Sequence, residues 1–483
     1  MARSESITLL AFGLVASVLA SSCFLTRTSV DECKKNADCR VAFGATQVCG
    51  SDGLCQAAPP TPRCTTTFPA DVLTRPESYP KVLLVGALMD RSVETQRARE
   101  NAIRLAVTQV NEEKGLDGRL FGVVFCDIAE NATYDSLKRT DAAIASGKYL
   151  ADSLGVPAIV GPSSSTDALA VYNALKDLDT LVISPSATSP ALTAADTKIP
   201  NDNVPGLLWR TAPPDTLQGA AIVRHLQAAL PSVKSVALVQ EKGPYGDALG
   251  AVFTEGFGKA GGTVTPFPYG TSSERDAAVV AAGNAPATVV LFISSQTSDA
   301  IAFLNAAGSL GGYASKTLFL TDSAANKDVL TGAAAVSGTF SRIVGSRPAV
   351  PQGPTFELFK ASFNAAFRQD PAVFSFVPHA YDATWLAFYG MARAVRRDPT
   401  LTGSGVARGL RKLSDGSAET PVAPSSWTKV ADALGGGGSV NLVGASGKLD
   451  FNPTDEETTG LVDIWKVSAD GKSIETVTTI DPR

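Results

Sequence analysis

Apolar and polar positions follow two rhythms along most of this chain. Lys81–Met89 (KVLLVGALM) is a continuous apolar run after its first residue, the pattern of a strand buried on both faces of a parallel sheet. Glu94–Glu113 then carries apolar residues at Ala98, Ala102, Leu105, Ala106 and Val110, the spacing of one helix face. Strands follow over Leu120–Ile128, Ala158–Gly161 and Thr180–Ser184, separated by helices over Asp135–Leu154 and Thr166–Lys176. Strands alternating with helices of ten to twenty residues predict a parallel sheet with helices on both faces.

The rhythm restarts after Leu207–Ala212, where Pro213-Pro214 interrupts regular structure. Strands at Val236–Gln240, Thr263–Tyr269, Thr288–Ser294 and Thr317–Thr321 alternate with helices at Thr216–Leu230, Ala248–Ala260, Arg275–Ala282 and Asp299–Ala307. Beyond about Gly338 the pattern turns helical, through Thr355–Phe367, His379–Arg397 and Val406–Leu413. A glycine-rich loop (Gly435–Gly438) leads to three strands, Gly447–Phe451, Leu461–Val467 and Ile474–Ile480. The expected fold class is α/β, with two doubly wound parallel-sheet lobes joined by a multi-strand hinge. Residues 81–212 and 340–445 are expected in one lobe, and 213–339 and 446–483 in the other. About four hundred residues after Cys64 exceed what a single core holds.

The N-terminal part is organised differently. Arg3 precedes Ile7–Ala20, an uncharged run of signal-peptide length that is too short to span a bilayer. Residues 1–22 are therefore expected to be a signal peptide. Ala20-Ser21-Ser22-Cys23 resembles a bacterial lipobox, with Leu19 one place earlier than usual; the resemblance implies lipidation of Cys23, and an ordinary signal peptide cut nearby is the alternative. With Cys23 set aside, Cys33, Cys39, Cys49, Cys55, Cys64 and Cys126 make an even set. The short polar stretch Cys33-x5-Cys39-x9-Cys49-x5-Cys55 cannot build an apolar core, so residues 23–64 are expected to be a small disulfide module. Zinc is the rival reading, weakened by the absence of C-x2-C pairs and nearby histidine. Parity leaves Cys64 and Cys126 to tie the start of the main body to its second strand. Residues 65–80, rich in Pro and Thr, read as a linker.

A net charge of −5 and the lack of a basic cluster argue against a nucleic-acid partner. Catalytic constellations are absent too. The two histidines, His225 and His379, have no partner cluster, and neither a G-x-S-x-G elbow nor a P-loop occurs. No enzyme, cofactor or metal is expected.

Ligands of open parallel sheets bind at the carboxyl ends of the strands. Two consecutive strand-to-helix junctions are rich in small hydroxyl residues, Val160-Gly161-Pro162-Ser163-Ser164-Ser165-Thr166 and Ile183-Ser184-Pro185-Ser186-Ala187-Thr188-Ser189-Pro190. Such loops offer backbone N–H groups and hydroxyls to a carboxylate. Plain helix capping would use the same residues.

Val160–Thr193, Arg210-Thr211-Ala212, Val236–Gly246, His379–Ala383 and Gly444–Phe451, as an ordered set, resemble the Leu/Ile/Val-binding family of type I periplasmic solute-binding proteins of ABC importers. The resemblance covers roughly Pro80 to the C-terminus. It implies a periplasmic or cell-envelope protein that captures an amino acid or related zwitterion and delivers it to permease subunits. It also implies roles for single residues. Ser163 matches the serine on the ligand α-carboxylate, beside Ser164. Ser186 and Thr188, flanking Ala187, match positions holding the α-carboxylate and α-ammonium. Tyr245 matches the tyrosine that closes over the ligand, and Asp322 the acid that pairs with the ammonium. Asp322 could otherwise cap a helix before Asn326. Two departures touch the side-chain pocket: Met89-Asp90-Arg91-Ser92 replaces a glycine-rich loop, and no ring stands around Ser295. Asp90 and Ser295 thereby become candidate side-chain-pocket residues, and a polar or larger amino acid, an amide or a short peptide stands beside leucine as ligand. A sensory receptor module of the same fold is the alternative function.

Overall fold

In a computed structural model, residues 32–75, 78–79, 81–131, 133–196 and 200–483 are described. The expected signal peptide and Cys23 lie outside the described residues. The chain divides between Ala58 and Pro59 into two compact units.

The smaller unit has a helix, Asn36–Phe43, and a hairpin of β1 (Gln47–Cys49) and β2 (Cys55–Ala57). Disulfides Cys33–Cys49 and Cys39–Cys55 cross it. They occupy the sulfurs that a zinc ion would need and replace the apolar core that so short a stretch cannot form. Cys64 belongs to the larger unit, where it is bonded to Cys126.

In the larger unit two sheets carry the two rhythms. The first has the order β3-β5-β4-β6-β7-β8, formed by β3 (Thr66–Phe68), β4 (Leu83–Met89), β5 (Phe121–Asp127), β6 (Ala158–Val160), β7 (Leu181–Ser184) and β8 (Leu208–Arg210). All neighbours are parallel except β3, which runs antiparallel to β5. The expected linker therefore contains an edge strand. Every residue of β4 and β5 is buried. Helix Val377–Arg397 is buried on nearly all sides, and there Tyr389 stacks on Trp427 while Trp385 packs against it at a tilt. A helix apolar all round belongs inside a core.

The second sheet has the order β10-β9-β11-β12-β13-β17-β18, from β9 (Ser235–Glu241), β10 (Thr263–Tyr269), β11 (Val289–Ile293), β12 (Thr317–Leu320), β13 (Ile343–Pro348), β17 (Val462–Val467) and β18 (Ile474–Ile480). Its first five strands in that order are parallel, and β17 and β18 are antiparallel additions. β13 lies where a helical pattern was expected. Its third residue is Gly345, and a Cβ there would sit 2.2 Å from the Trp465 ring. That glycine admits the ring and breaks the apolar run that signals a strand.

The chain crosses between lobes three times. The first crossing follows β8, at the expected Pro213. The second follows β13 and precedes helix Pro354–Phe367, whose phenylalanines pack in the first core. It thus lies past Pro348, not near 340. The third precedes β17. Gly447–Phe451 is not a hinge strand: Gly447–Lys448 (β16) completes a small sheet with β14 (Glu419–Pro421) and β15 (Asn441–Gly444), and Leu449 and Phe451 pack in the first core. Among the described residues no helix is long and apolar enough to cross a membrane.

Candidate ligand-binding cleft

The two serine-rich loops are stitched together at the ends of β6 and β7. Gly161 has φ +93°, and a Cβ there would lie 2.5 Å from the Leu88 carbonyl. Only glycine lets the loop pass so close to β4. Ser164 caps helix Ser165–Leu175: its hydroxyl accepts from the Asp167 N–H (3.1 Å) and donates to the Asp167 carboxylate (2.7 Å). That is the plain capping role. Ser163 differs, because its buried hydroxyl has no partner among the described residues. Ser186 Oγ donates to the Ser163 carbonyl (2.8 Å) and accepts from Arg99 Nη1 (2.9 Å).

Ala187 and Thr188 do not line the cleft. The Ala187 N–H donates to Ser184 Oγ (3.0 Å), and the Thr188 carbonyl accepts from the Asp215 N–H (2.8 Å). Arg210 gathers the Ala187 and Ser189 carbonyls from beneath, at 3.3 and 2.8 Å. These contacts turn both residues into the support of the loop.

The opposite wall comes from the second lobe. Tyr245, in the first turn of helix Pro244–Lys259, donates its hydroxyl to Asp322 Oδ1 (2.6 Å). Gln218 Nε2 lies 3.3 Å from the same oxygen and 3.0 Å from Ser346 Oγ. Asp322 follows β12 and is not the cap of the next helix; Asn326 fills that role with its side chain on the Val329 N–H. Burial raises the Asp322 carboxyl above its ordinary value, opposed by the Tyr245 and Gln218 hydrogen bonds and the Arg99 charge.

A cleft of about 360 Å³ lies between these walls, lined by Ser163, Ser164, Ser186, Tyr245 and Asp322, and by Asp90 and Ser295. That volume suits a small molecule. Asp90 accepts from the Ser92 N–H (3.1 Å) and hydroxyl (2.5 Å). Ser295 Oγ donates to Glu241 (3.1 Å) and accepts from Gln296 Nε2 (2.8 Å). Arg139 reaches across the lobes to Gln296 Oε1 (2.8 Å) while paired with Asp167 (3.0 Å).

Sequence reasoning missed Arg99 and Phe376. Arg99 lies inside helix Glu94–Glu112, buried on the side that holds Thr95, Ala98 and Ile103. Its Nε donates to the Ser375 carbonyl (3.0 Å), and its guanidinium lies 5.3 Å from the Phe376 ring centre. Burial lowers its pKa to about 10, opposed by the Asp322 charge, so it stays cationic at neutral pH. An arginine on an otherwise apolar helix face was the available signal. Phe376 has φ +63°, a left-handed conformation that costs a bulky residue energy and concentrates at functional sites.

The family model described as "Receptor family ligand binding region" matches residues 98–470. The Leu/Ile/Val-binding protein of Escherichia coli is 26% identical over 198 residues, 41% of this chain and 48% of its own. The chain thus spans about half the length of that relative. The chemotactic signal transduction system substrate-binding protein of Halobacterium salinarum is 25% identical over 369 residues, 75% of this chain and 80% of its own. Among solved structures, a leucine-binding protein from Thermotoga maritima superposes with a TM-score of 0.64 at 15% identity, over 83% of this chain and 99% of its own. With two lobes, three crossings and a cleft at the strand ends, the chain belongs to the receptor family of ligand-binding regions, on the type I periplasmic binding protein fold.

Proposed function

We propose that this protein is the extracytoplasmic capture component of an ABC importer and holds an amino acid by closing its two lobes on it. The observation that carries the reading is the chemical opposition across the cleft. One wall offers the unpartnered Ser163 hydroxyl beside Ser186, and the other the Asp322 carboxylate braced by Tyr245. A zwitterion needs donors at its carboxylate and an acceptor at its ammonium, and each lobe supplies one set. The ligand docks on the first lobe through its α-carboxylate. The second lobe then brings Tyr245 and Asp322 to the ammonium, and permease subunits recognise the closed form. The Escherichia coli and Thermotoga maritima relatives are amino-acid-binding proteins by name, which supports amino-acid capture, while the Halobacterium salinarum relative serves chemotactic signalling. Lipid on Cys23 would hold the protein at the membrane where the permease resides.

Thermal unfolding of the purified protein against the twenty amino acids tests the proposal. A ligand at one hundred times its Kd adds about 2.7 kcal/mol to stability. Asp322→Ala removes the partner of a buried ammonium, a loss of about 2–5 kcal/mol in binding, so affinity falls at least about thirtyfold. An unchanged affinity for the α-amino acid would show that the ammonium is read elsewhere.

A further inference from the structure

The polarity of the cleft is at odds with a branched-chain ligand. Among the described residues Val93 is the sole aliphatic side chain on its walls, and Phe376 and Tyr245 are the sole rings. Hydroxyls, amides and charged groups form the rest. Asp90, Ser92, Ser295, Gln296 and Arg139 are among these polar lining residues. A leucine side chain gains from burial only when it leaves water for an apolar wall. Here it would strip water from donors and acceptors and give them no partner, which is the case in which polar sites reject analogues most strongly.

Arg99 adds a second observation. It is buried and cationic, and among the described residues no carboxylate forms an ion pair with it. Its guanidinium bonds a serine hydroxyl and a backbone carbonyl, both neutral. A buried cation without a counter-charge is costly unless a ligand supplies one. The unpartnered Ser163 hydroxyl, 8% exposed, belongs to the same corner, because Ser186 bridges the Ser163 carbonyl and Arg99.

We infer that the ligand is an α-amino acid with a hydrogen-bonding side chain, that Arg99 binds its carboxylate, and that the cleft rejects leucine, isoleucine and valine. This rests on the capture reading above and deepens it. Arg99 supplies the carboxylate with a counter-charge, which hydroxyls alone do not. The wall from Asp90 to Gln296 selects the side chain.

Isothermal titration of the mature protein with asparagine, glutamine, serine, aspartate, glutamate and arginine, and with leucine, isoleucine and valine, tests the inference. At least one polar amino acid should bind one hundred times more tightly than leucine. Its carboxamide derivative should lose about one hundredfold, as should Arg99→Met with the parent ligand. Arg99→Lys, which keeps the charge and loses the planar fork, should recover part of that loss even if both variants are less stable. Gln296→Leu should narrow the gap between the polar ligand and leucine. Leucine binding as tightly as every polar amino acid overturns the inference and leaves the capture reading standing. Equal affinity for acid and carboxamide removes Arg99 from carboxylate binding. A protein that binds no amino acid of either kind overturns both readings.

Discussion

Arg210 joins the second serine loop to the third crossing between the lobes, and its replacement by methionine has a magnitude that follows from its contacts. Its Nε and Nη2 each lie 2.6 Å from an oxygen of Glu457, a two-pronged pair. Nη1 reaches the Ala187 and Ser189 carbonyls, and Nη2 also reaches Thr193 Oγ1 (2.8 Å). The Arg210 side chain is 2% exposed and that of Glu457 13%. Methionine keeps the apolar stem but leaves a nearly buried carboxylate without its counter-charge, held by the Thr193 hydroxyl alone among the described side chains, and two carbonyls without the guanidinium. Breaking a buried pair in this way costs about 3–5 kcal/mol. Trp209, adjacent in sequence and buried, makes urea unfolding followed by tryptophan fluorescence a suitable assay. Glu457→Gln keeps an acceptor facing the guanidinium and should lose less. In the double variant Arg210→Met/Glu457→Leu neither charge is buried, so much of the loss should return. A loss below about 1 kcal/mol for Arg210→Met, or a double variant as unstable as the sum of the singles, would refute the reading that this pair ties the second serine loop to the third crossing.

Two further predictions concern the frame of the first lobe. The Cys64–Cys126 disulfide closes a loop with a sequence separation of 62, between the loop sizes for which chain entropy gives about 3 and about 4.7 kcal/mol; Cys64→Ser/Cys126→Ser should lose about 4 kcal/mol in urea unfolding, and a loss under 1 would mean that β3 pairing alone fixes the turn. Two buried groups on helix Val377–Arg397 tilt stability with pH in opposite directions. Burial pushes Asp382 up to about 7 against hydrogen bonds from Ser446 and Ala445, so the folded state holds a proton that the unfolded chain has lost, and stability falls as pH rises from about 4 to 7. Burial, with the Arg99 charge, lowers His379 to about 3, so its contribution is present above about 6.5 and lost as pH falls towards 3. Relative to the parent protein, Asp382→Asn should gain stability as pH rises from 4 to 7, while His379→Gln should lose it; urea midpoints at four pH values read both, and parallel curves would refute the assignments.

Legibility in the sequence followed how local each signal was. Strands buried on both faces announce themselves as apolar runs, so β4, β5, β9 and β11 stood within a residue or two of their observed limits. β3 and β13 did not. β3 is an edge strand of three residues in a Pro- and Thr-rich stretch, and β13 is broken by a glycine whose reason is a tryptophan more than a hundred residues away. The loops that line the cleft were visible because hydroxyl residues cluster at strand ends. Ala187 and Thr188 shared that cluster but turn under it, held by Asp215 and Arg210. Sequence proximity did not distinguish a loop's exposed face from its support.

On the proposed capture role, Arg99 and Asp322 would give the cleft its logic as a closing device. They stand on different lobes, each buried, and each charge favours the ionised form of the other without contact between them. Apart in open lobes, both are solvated. Brought together with nothing between, they lose water and gain an attraction too distant to offset it. A zwitterion laid with its carboxylate towards Arg99 and its ammonium towards Asp322 replaces that water with two charge-assisted contacts. Closure then becomes favourable in proportion to the ligand's fit to both charges, so ligand and lobe movement are one equilibrium. On the proposed capture role, any α-amino acid would satisfy the charged pair. On the inference above, selectivity falls to Asp90, Ser295, Gln296 and Arg139, whose side chains the shared fold leaves free to change.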